Sequence, residues 1–287
     1  MRRLTSHHFV HDLDRSRPPV FSINEGEQVV VETLDCHGGR VGRDGVLRPG
    51  DTRANPATGP IEVKGAQPGE ALAVTLHEVR PADWGFIGGG GDASQPYTVV
   101  EMADGVARYP WGLELPLRPM VGVMGVAPPG EPVPTNTPSE YGGNLDVAEF
   151  CAGATIHFPV AVPGALLALG DVHALQGDGE VGGTGIECAA EVVLSARRVA
   201  EPLSRLPYLV VGDRLMVLAC AELLDDAAWQ AVAEMAQVIT RLTGLPDHQA
   251  RRLLSTAGQL RISQIVNPKK ACRAVIRREV IPDHWPF

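Results

Sequence analysis

Residues 165–181 have the sequence ALLALGDVHALQGDGEV, in which an apolar run of strand length ends in a segment rich in acidic side chains. Successive side chains of a strand point to opposite faces, so residues two apart point to the same side. Asp171 and His173 are two apart at the end of the apolar run. Carboxylate oxygen and imidazole nitrogen are ligands that suit Zn²⁺ and similar ions. The stretch therefore predicts a buried strand that ends in a metal site.

A second segment of the same type, Asp35-Cys36-His37, follows the apolar run at residues 29–31. Taken alone, an Asp-x-His segment before two glycines is typical of a polar turn at a strand end. Together, the two segments supply four donors that one ion could share. We therefore predict that they converge in space, although more than a hundred residues separate them.

Further side chains of the types that bind metals follow Asp171-Val172-His173 in the chain: Gln176, Asp178 and Glu180. A polar turn between two strands is the alternative interpretation, because Asp and Gly are common in turns. Glu187 follows in apolar surroundings that indicate a buried strand. An unpaired buried carboxylate is costly, so Glu187 needs a partner, which a metal ion or a proton-transfer role would supply.

The composition favours a β-rich fold. The chain has 287 residues, 44% of them hydrophobic, with 32 glycines, 24 prolines and only 5% aromatic residues. Short apolar runs between turn residues are typical of all-β sandwiches and barrels. We predict a mainly β, sandwich-like or barrel-like body over residues 1–205 and a smaller C-terminal α+β part over residues 206–287. The body contains predicted strands at residues 28–34, 61–63, 71–79, 154–162, 165–169 and 191–194.

The C-terminal part has a different pattern. Apolar residues recur at helical spacing between Asp225 and Leu242, and Gly244 is a plausible end for this helix. A second helix is predicted over residues 246–257, and a closing hairpin over residues 260–266 and 271–276. Two irregular segments are expected in the body: a turn at residues 55–60 and a long loop at residues 83–95, which is long enough to cover a site.

Charge and cysteine content narrow the class of protein. The net charge is −9 and the pI is about 5.5, which disfavours binding to nucleic acid or to an anionic membrane surface. The five cysteines include no Cys-x-x-Cys pair, so neither a disulfide framework nor a thiolate zinc ribbon is indicated. The first residues contain no apolar stretch of signal-peptide length. We therefore expect a cytoplasmic protein.

Several motifs resemble the acetamidase/formamidase family. The central segment at residues 170–181, with Thr184-Gly185-Ile186-Glu187 after it, is similar to the central motif of that family. Residues 141–146, together with residues 33–36 and 55–61, are similar to other parts of the family, so the resemblance spans roughly residues 7–275. It implies hydrolysis of a short-chain amide to ammonia and a carboxylate, a β-rich fold with a smaller α+β part, a divalent metal and a homo-oligomer of two or more copies.

Roles for individual residues combine this resemblance with general chemistry. A metal can polarise the amide carbonyl and lower the pKa of bound water. We predict Asp35, Asp171 and His173 as ligands of zinc, with calcium as the alternative ion and His37 as a reserve ligand. Glu187 is the predicted general base, and Glu180 could exchange roles with it or serve as a ligand. Asn144 could stabilise the oxyanion.

Two other classes of protein stay open from the sequence. One is a cupin-like metal enzyme, an isomerase or oxygenase that binds iron or manganese and acts on a small carboxylate. The other is a non-catalytic protein that binds small molecules.

Overall fold

The computed structural model of this protein describes residues 1–88 and 96–286. The strands of the first half of the chain are β1 (Arg2–Leu4), β2 (Phe9–Val10), β3 (Asp12–Leu13), β4 (Phe21–Ile23), β5 (Val29–Thr33), β6 (Ala57–Val63), β7 (Ala71–Pro81), β8 (Trp84–Ile87), β9 (Thr98–Ala103), β10 (Val106–Arg108), β11 (Glu114–Pro116), β12 (Met120–Gly125), β13 (Val133–Pro134) and β14 (Gly142–Asn144). The remaining strands are β15 (Thr155–Pro159), β16 (Leu167–His173), β17 (Glu187–Cys188), β18 (Ala190–Val199), β19 (Tyr208–Val211), β20 (Arg214–Ala221), β21 (Gln259–Gln264) and β22 (Lys270–Arg277).

Two large sheets form the body. The first has nine strands in the order β1-β5-β18-β7-β15-β19-β20-β22-β21. The second has eleven strands, eight of which follow the order β11-β10-β9-β8-β17-β16-β12-β14, while β6 pairs with β16 and also with β2 and β4. The strands β3 and β13 form a separate two-stranded sheet.

The main hydrophobic core lies between the two large sheets. Side chains from the first sheet, such as Val74 and Ile156, belong to the same buried cluster as Val121 and Leu169 of the second sheet. Burying apolar surface between two sheets is what stabilises a sandwich of this kind. The predicted mainly β fold with a smaller α+β part is therefore confirmed.

Two helices cover the outer face of the first sheet near the C-terminal end of the described chain. The helix α1 (Leu224–Thr243) carries two acidic residues in its first turn, which complement the helix dipole. Gly244, at φ 74°, ends this helix in the left-handed conformation. The helix α2 (Asp247–Ala257) follows, and two short 3-10 turns, Arg278–Val280 and Pro282–His284, come after β22. The buried stripes of both helices pack on Leu215, Val217 and Ile276.

The nine-stranded sheet continues through the predicted boundary near residue 205. Strand β15 pairs with β19, which follows the boundary, and β19 pairs with β20. The division into residues 1–205 and 206–287 therefore separates neighbouring strands of one sheet, and it stays a prediction. Within the described residues, no helix combines the length and the apolar character that crossing a membrane requires.

Two local predictions need correction. Most of the predicted turn at residues 55–60 belongs to strand β6. Glycine is needed at position 59 because β6 and β16 come close there: a Cβ on Gly59 would lie 2.7 Å from the carbonyl oxygen of Leu167. The register of the pairing between β6 and β16 shifts at this point, and strands tolerate glycine and proline at such irregularities. The predicted loop at residues 83–95 begins with strand β8, which pairs with β9 and β17. Residues 89–95 lie outside the described residues.

A buried histidine in the first sheet predicts acid sensitivity. His157 on β15 stacks on Tyr208 of β19, with ring centroids 4.1 Å apart. Burial, aided by the positive charge of Arg197, lowers the pKa of His157 from 6.5 to about 4. Between these pH values the unfolded chain binds a proton that the folded chain does not. This contribution to stability is therefore complete above pH 6.5 and is lost as the pH falls toward 4, by about 3 kcal/mol in total.

We expect the substitution His157→Phe, which keeps a stacking ring, to reduce the fall in unfolding free energy between pH 6.5 and 5 by about 2 kcal/mol. Urea denaturation at several pH values measures this difference. The matched control is His77→Asn on the neighbouring strand β7, because His77 is exposed and its loss leaves the burial of His157 intact. Equal pH slopes for wild type and His157→Phe would contradict the prediction.

Candidate active site

The candidate site lies where strand β16 ends, in the interior of the eleven-stranded sheet. All seven residues of β16 are buried, between β12 on one side and β17 on the other. His173 and Glu187 are direct cross-strand partners in this pairing, so their side chains lie on the same face. Asp171 and His173, which their spacing predicts on the same side, lie close together, with Oδ1 of Asp171 3.7 Å from Nε2 of His173.

Three acidic residues of this region have positive φ angles: Asp146 at 48°, Asp171 at 55° and Glu180 at 45°. Non-glycine residues adopt this conformation rarely, and such strain is concentrated at functional sites. All three side chains are buried. The backbone therefore adopts an unfavourable conformation at three positions, and this places three carboxylates close together.

The orientation of the His173 ring is fixed by a glutamine. Nδ1 of His173 lies 2.8 Å from Oε1 of Gln176, and because an amide oxygen only accepts, Nδ1 is the donor. The amide of Gln176 in turn donates to the carbonyl oxygen of Asp146 at 2.8 Å. Nε2 of His173 consequently faces the acidic side chains and lies 3.1 Å from Oε1 of Glu187.

The ligand-type atoms form two groups, in each of which the atoms lie within 4.8 Å of one another. The first group consists of Asp146, His173 and Glu180, and the second consists of Cys36, Asp171 and Glu187. All three members of the second group line the pocket described below, whereas His173 and Asp146 do not. The first group therefore lies deeper than the second.

Burial and like charge shift the titration of these groups. Burial raises the pKa of Asp146 well above its usual range, and the charges of Glu180 and Asp171 add to this. Burial also raises the pKa of Glu187, to about 7. Burial alone would lower the pKa of His173, but the charges of Glu187 and Asp171 raise it well above its ordinary value. Four carboxyl groups thus share a small volume with a single imidazole, and burial together with like charge makes it costly for all four to be ionised at once.

The donor set fits a divalent cation. In the described part of the chain, Oδ1 of Asn144 and four buried carboxylate oxygens of the site have no hydrogen-bond partner, the four being Oδ1 of Asp146, Oδ1 of Asp171, Oε2 of Glu180 and Oε2 of Glu187. Buried polar atoms are rarely left without a partner, because desolvation is costly. A cation beside these atoms would satisfy them and compensate the negative charge, and a set of one imidazole with carboxylates suits zinc.

Asp35 and His37, the other predicted ligands, have different surroundings. Oδ1 of Asp35 accepts hydrogen bonds from the backbone N–H groups of His37 and Gly39, at 2.8 and 3.1 Å. The ring of His37 stacks on Phe86, and its Nε2 lies 2.7 Å from the hydroxyl of Tyr97. Neither residue belongs to the two groups of close ligand atoms among the described residues. Their assignment as metal ligands stays a prediction.

The sequence assigns no role to three residues of the site, Asp146, Asn55 and Asn267. Of these, only Asp146 has a local sequence feature that points to the site, because it lies two residues after Asn144 in a glycine-rich turn. Asn55 donates to Oδ2 of Asp171 at 2.8 Å, and Asn267 donates to Oδ2 of Asp146 at 2.6 Å. No local pattern marks either asparagine, since each reaches the site through long-range contacts.

An open pocket of about 820 Å³ leads to the site. Asn144, Asp171, Glu180 and Glu187 lie on its wall, together with Cys36 and the aromatic residues His37, Phe86 and Tyr97. Thr184 also lines the pocket and donates from its hydroxyl to Oε1 of Glu187 at 3.0 Å, which orients that carboxylate. Oε2 of Glu187 is left without a hydrogen bond.

Gly122 on β12 gives the carboxylates the space they occupy. A Cβ at this position would lie 2.6 Å from Oδ1 of Asp146 and 2.7 Å from the carbonyl oxygen of Asp171. We expect Gly122→Ala to displace Asp146 and to destabilise the protein by about 1–3 kcal/mol. Thermal unfolding measures the loss of stability. The control is Gly130→Ala, where a Cβ meets nothing within 4 Å, and an equal response of both variants would refute the prediction.

Fold and site together define a class of protein: a two-sheet β architecture with a pocket whose wall carries the carboxylate and amide groups used in acid–base chemistry. The model of the acetamidase/formamidase family matches residues 13–133 and 130–206. This chain belongs to the acetamidase/formamidase family, and the resemblance noted in its sequence motifs is confirmed.

Solved structures support this assignment. An acetamidase from Bacillus halodurans is 36% identical, with a TM-score of 0.91 over 98% of this chain and 99% of that chain. A predicted acetamidase/formamidase from Thermoanaerobacter tengcongensis is 35% identical, with a TM-score of 0.93 over 99% of this chain and 97% of that chain. A formamidase from Methylophilus methylotrophus is 25% identical over 232 residues, which cover 57% of each protein. The chain spans about three fifths of the length of the curated relatives that it matches.

Proposed function

We propose that this protein hydrolyses a short linear amide, of the size of formamide or acetamide, to ammonia and a carboxylate. The observation that carries the proposal is the group of buried carboxylate oxygens without hydrogen-bond partners that lies around the imidazole of His173, beside the pocket. Membership of the acetamidase/formamidase family supports the choice of an amide substrate. In the reaction, water adds to the carbonyl carbon, the C–N bond breaks, and the departing nitrogen takes up a proton.

In this proposal, Asp146, His173 and Glu180 hold a divalent cation, with Asp171 beside them. Two carboxylates and one imidazole leave room for a further ligand, as catalytic zinc sites do, so zinc is preferred to calcium. When bound, the cation polarises the substrate carbonyl and lowers the pKa of water. Glu180 therefore acts as a ligand in preference to its alternative role as general base.

Glu187 is the proposed general base. Its Oε1 is held by the hydroxyl of Thr184, while its Oε2 has no hydrogen-bond partner, and the residue lines the pocket. A carboxylate with one oxygen anchored and the other free is placed to take a proton from the attacking water and to pass it to the leaving nitrogen.

Asn144 is the proposed oxyanion donor. It is the last residue of strand β14, lines the pocket and is 5% exposed. Its side-chain amide carries two N–H donors, and its side-chain oxygen has no hydrogen-bond partner in the described structure. An amide N–H directed at the developing oxyanion stabilises charge in the transition state more strongly than in the substrate.

The test is ammonia release from formamide, acetamide and propionamide, paired with elemental analysis of the purified protein. We expect turnover of at least one of these amides and about one bound zinc per chain. A protein that holds redox-active iron and releases no ammonia would favour the cupin-like alternative. Full metal content without ammonia release would favour a non-catalytic binding protein.

Assembly and location belong to the same proposal. Large apolar side chains are exposed on the single chain, among them Trp229 at 69% and Val181 at 80%. A homo-oligomer would cover surface of this kind, which light scattering of the purified protein measures directly. The five cysteines are free thiols, which accords with a reducing cytoplasm.

A further inference from the structure

We infer that Asn267, in the turn of the C-terminal hairpin, is a positioning residue that orients the carboxylate of Asp146 for cation binding. The inference rests on the proposed function, since it concerns the same cation site. Asn267 lies beyond residues 13–206, which the family model matches. The C-terminal part of the chain thereby contributes to a site whose other members lie in the body.

The contacts of Asn267 are direct and specific. Its Nδ2 donates to Oδ2 of Asp146 at 2.6 Å and to the backbone carbonyl of Asn144 at 2.9 Å. Asp146 is 0% exposed and Asn144 is 5% exposed, so the amide reaches into the buried part of the site. One side chain therefore ties a proposed cation ligand to the strand end that carries the proposed oxyanion donor.

The hydrogen bond leaves the two oxygens of Asp146 in different states. Oδ2 is occupied by the Asn267 amide, whereas Oδ1 has no hydrogen-bond partner and belongs with His173 and Glu180. A donor on one oxygen fixes the rotation of the carboxylate and leaves the other oxygen directed at the cation site. Asp171 has the same arrangement: its Oδ2 accepts a hydrogen bond from Asn55, and its Oδ1 has no hydrogen-bond partner in the described structure.

The turn that carries Asn267 is itself rigidly held. Gln264 is 0% exposed, and its Oε1 accepts the backbone N–H groups of Val266 and Asn267, each at 2.9 Å. Its Nε2 donates to the carbonyl oxygen of Lys269 at 2.7 Å. A side chain presented on a braced turn of this kind loses little conformational freedom when it binds its partner.

The hairpin is also tied to the segment that carries Glu180. The N–H of Gly179 donates to the carbonyl oxygen of Ser263 at 3.0 Å, and the N–H of Ile265 donates to the carbonyl oxygen of Gly179 at 3.1 Å. The buried guanidinium of Arg273 donates to Asp178. The hairpin therefore places the segment with Glu180 and the donor to Asp146 in one rigid unit.

The test compares Asn267→Ala and Asn267→Leu with wild type by competition of a chelator for Zn²⁺ and by amide turnover. We expect Asn267→Ala to weaken zinc affinity by about 10–100-fold, as the loss of a partner to a metal ligand typically does. Added Zn²⁺ should restore its turnover. Asn267→Leu, which has a similar volume but no N–H donor, should weaken zinc affinity to a similar extent. The control is Asn136→Ala on the exposed pocket rim, which should keep wild-type affinity.

The outcomes separate this inference from its alternatives. If Asn267 only fills space, Asn267→Leu should keep wild-type zinc affinity while Asn267→Ala loses it, which would overturn the inference. If Asn267 contacts substrate only, KM should rise while zinc affinity stays unchanged, which would also overturn it. Because the zinc measurement needs no amide turnover, the inference can stand where the proposed hydrolysis fails. A wild-type protein that binds no divalent cation would overturn both.

Discussion

Replacing Glu187 with glutamine is expected to lower amide turnover by about two orders of magnitude or more, which is the scale on which a general base contributes. Glutamine has the same shape as glutamate, and it can keep the contact with the hydroxyl of Thr184 through its amide oxygen. What it cannot do is accept a proton from water. We therefore expect the fold and the cation content to be preserved while ammonia release is lost.

The measurement is ammonia release under saturating amide, with elemental analysis and thermal unfolding of the same preparation. The matched control is Glu191→Gln, four residues along the chain. Glu191 pairs with Arg80 and Arg3 on the surface of the other sheet, and exposed pairs of this kind contribute little. Unchanged turnover in Glu187→Gln would remove Glu187 from the mechanism, and equal losses in both variants would indicate a general effect on stability.

Local periodicity predicted many of the fold's elements. Strands β5 and β7 and the helices α1 and α2 lie within one or two residues of their predicted positions. Their side-chain patterns are set by contacts on one face, which the sequence records directly. Strand β6 is longer than the strand predicted at residues 61–63, because its Gly59-Pro60 pair is a turn signal in isolation, whereas pairing with β16 and β2 makes a strand favourable there.

The site was predictable to the extent that it is local. Asp171 and His173 lie two residues apart, and Glu187 follows on the strand that pairs with β16, so spacing and burial pointed to all three. Asp146 and Asn267 reach the same place through the pairing of β12 with β14 and through the turn of the C-terminal hairpin. Contacts of this kind depend on sheet order, which no spacing within a segment encodes.

The second large effect is expected from substitutions of the proposed cation ligands. We expect His173→Ala and the isosteric Asp146→Asn each to weaken zinc affinity by about 100-fold or more. Substituting a residue that only hydrogen-bonds to a metal ligand typically weakens affinity by about 10–100-fold, and loss of a ligand should weaken it further. Each substitution removes one of the few atoms that a cation could bind, since Oδ1 of Asp146 has no hydrogen-bond partner in the described structure and Nε2 of His173 faces the carboxylates of Asp171 and Glu187. Amide turnover should fall with the zinc content, and the stability that bound zinc adds should be lost.

Asp35→Asn is the comparison that decides between the two ligand sets. If Asp35 binds the cation, as its sequence context predicts, its amide variant should lose zinc as Asp146→Asn does. If Asp35 serves the backbone N–H groups of His37 and Gly39, the variant should keep zinc and lose only stability, because a neutral acceptor bonds those N–H groups more weakly. Zinc retention in Asp146→Asn with loss in Asp35→Asn would reverse the proposed assignment. Retention in both of these variants and in His173→Ala would place the cation outside this group of residues.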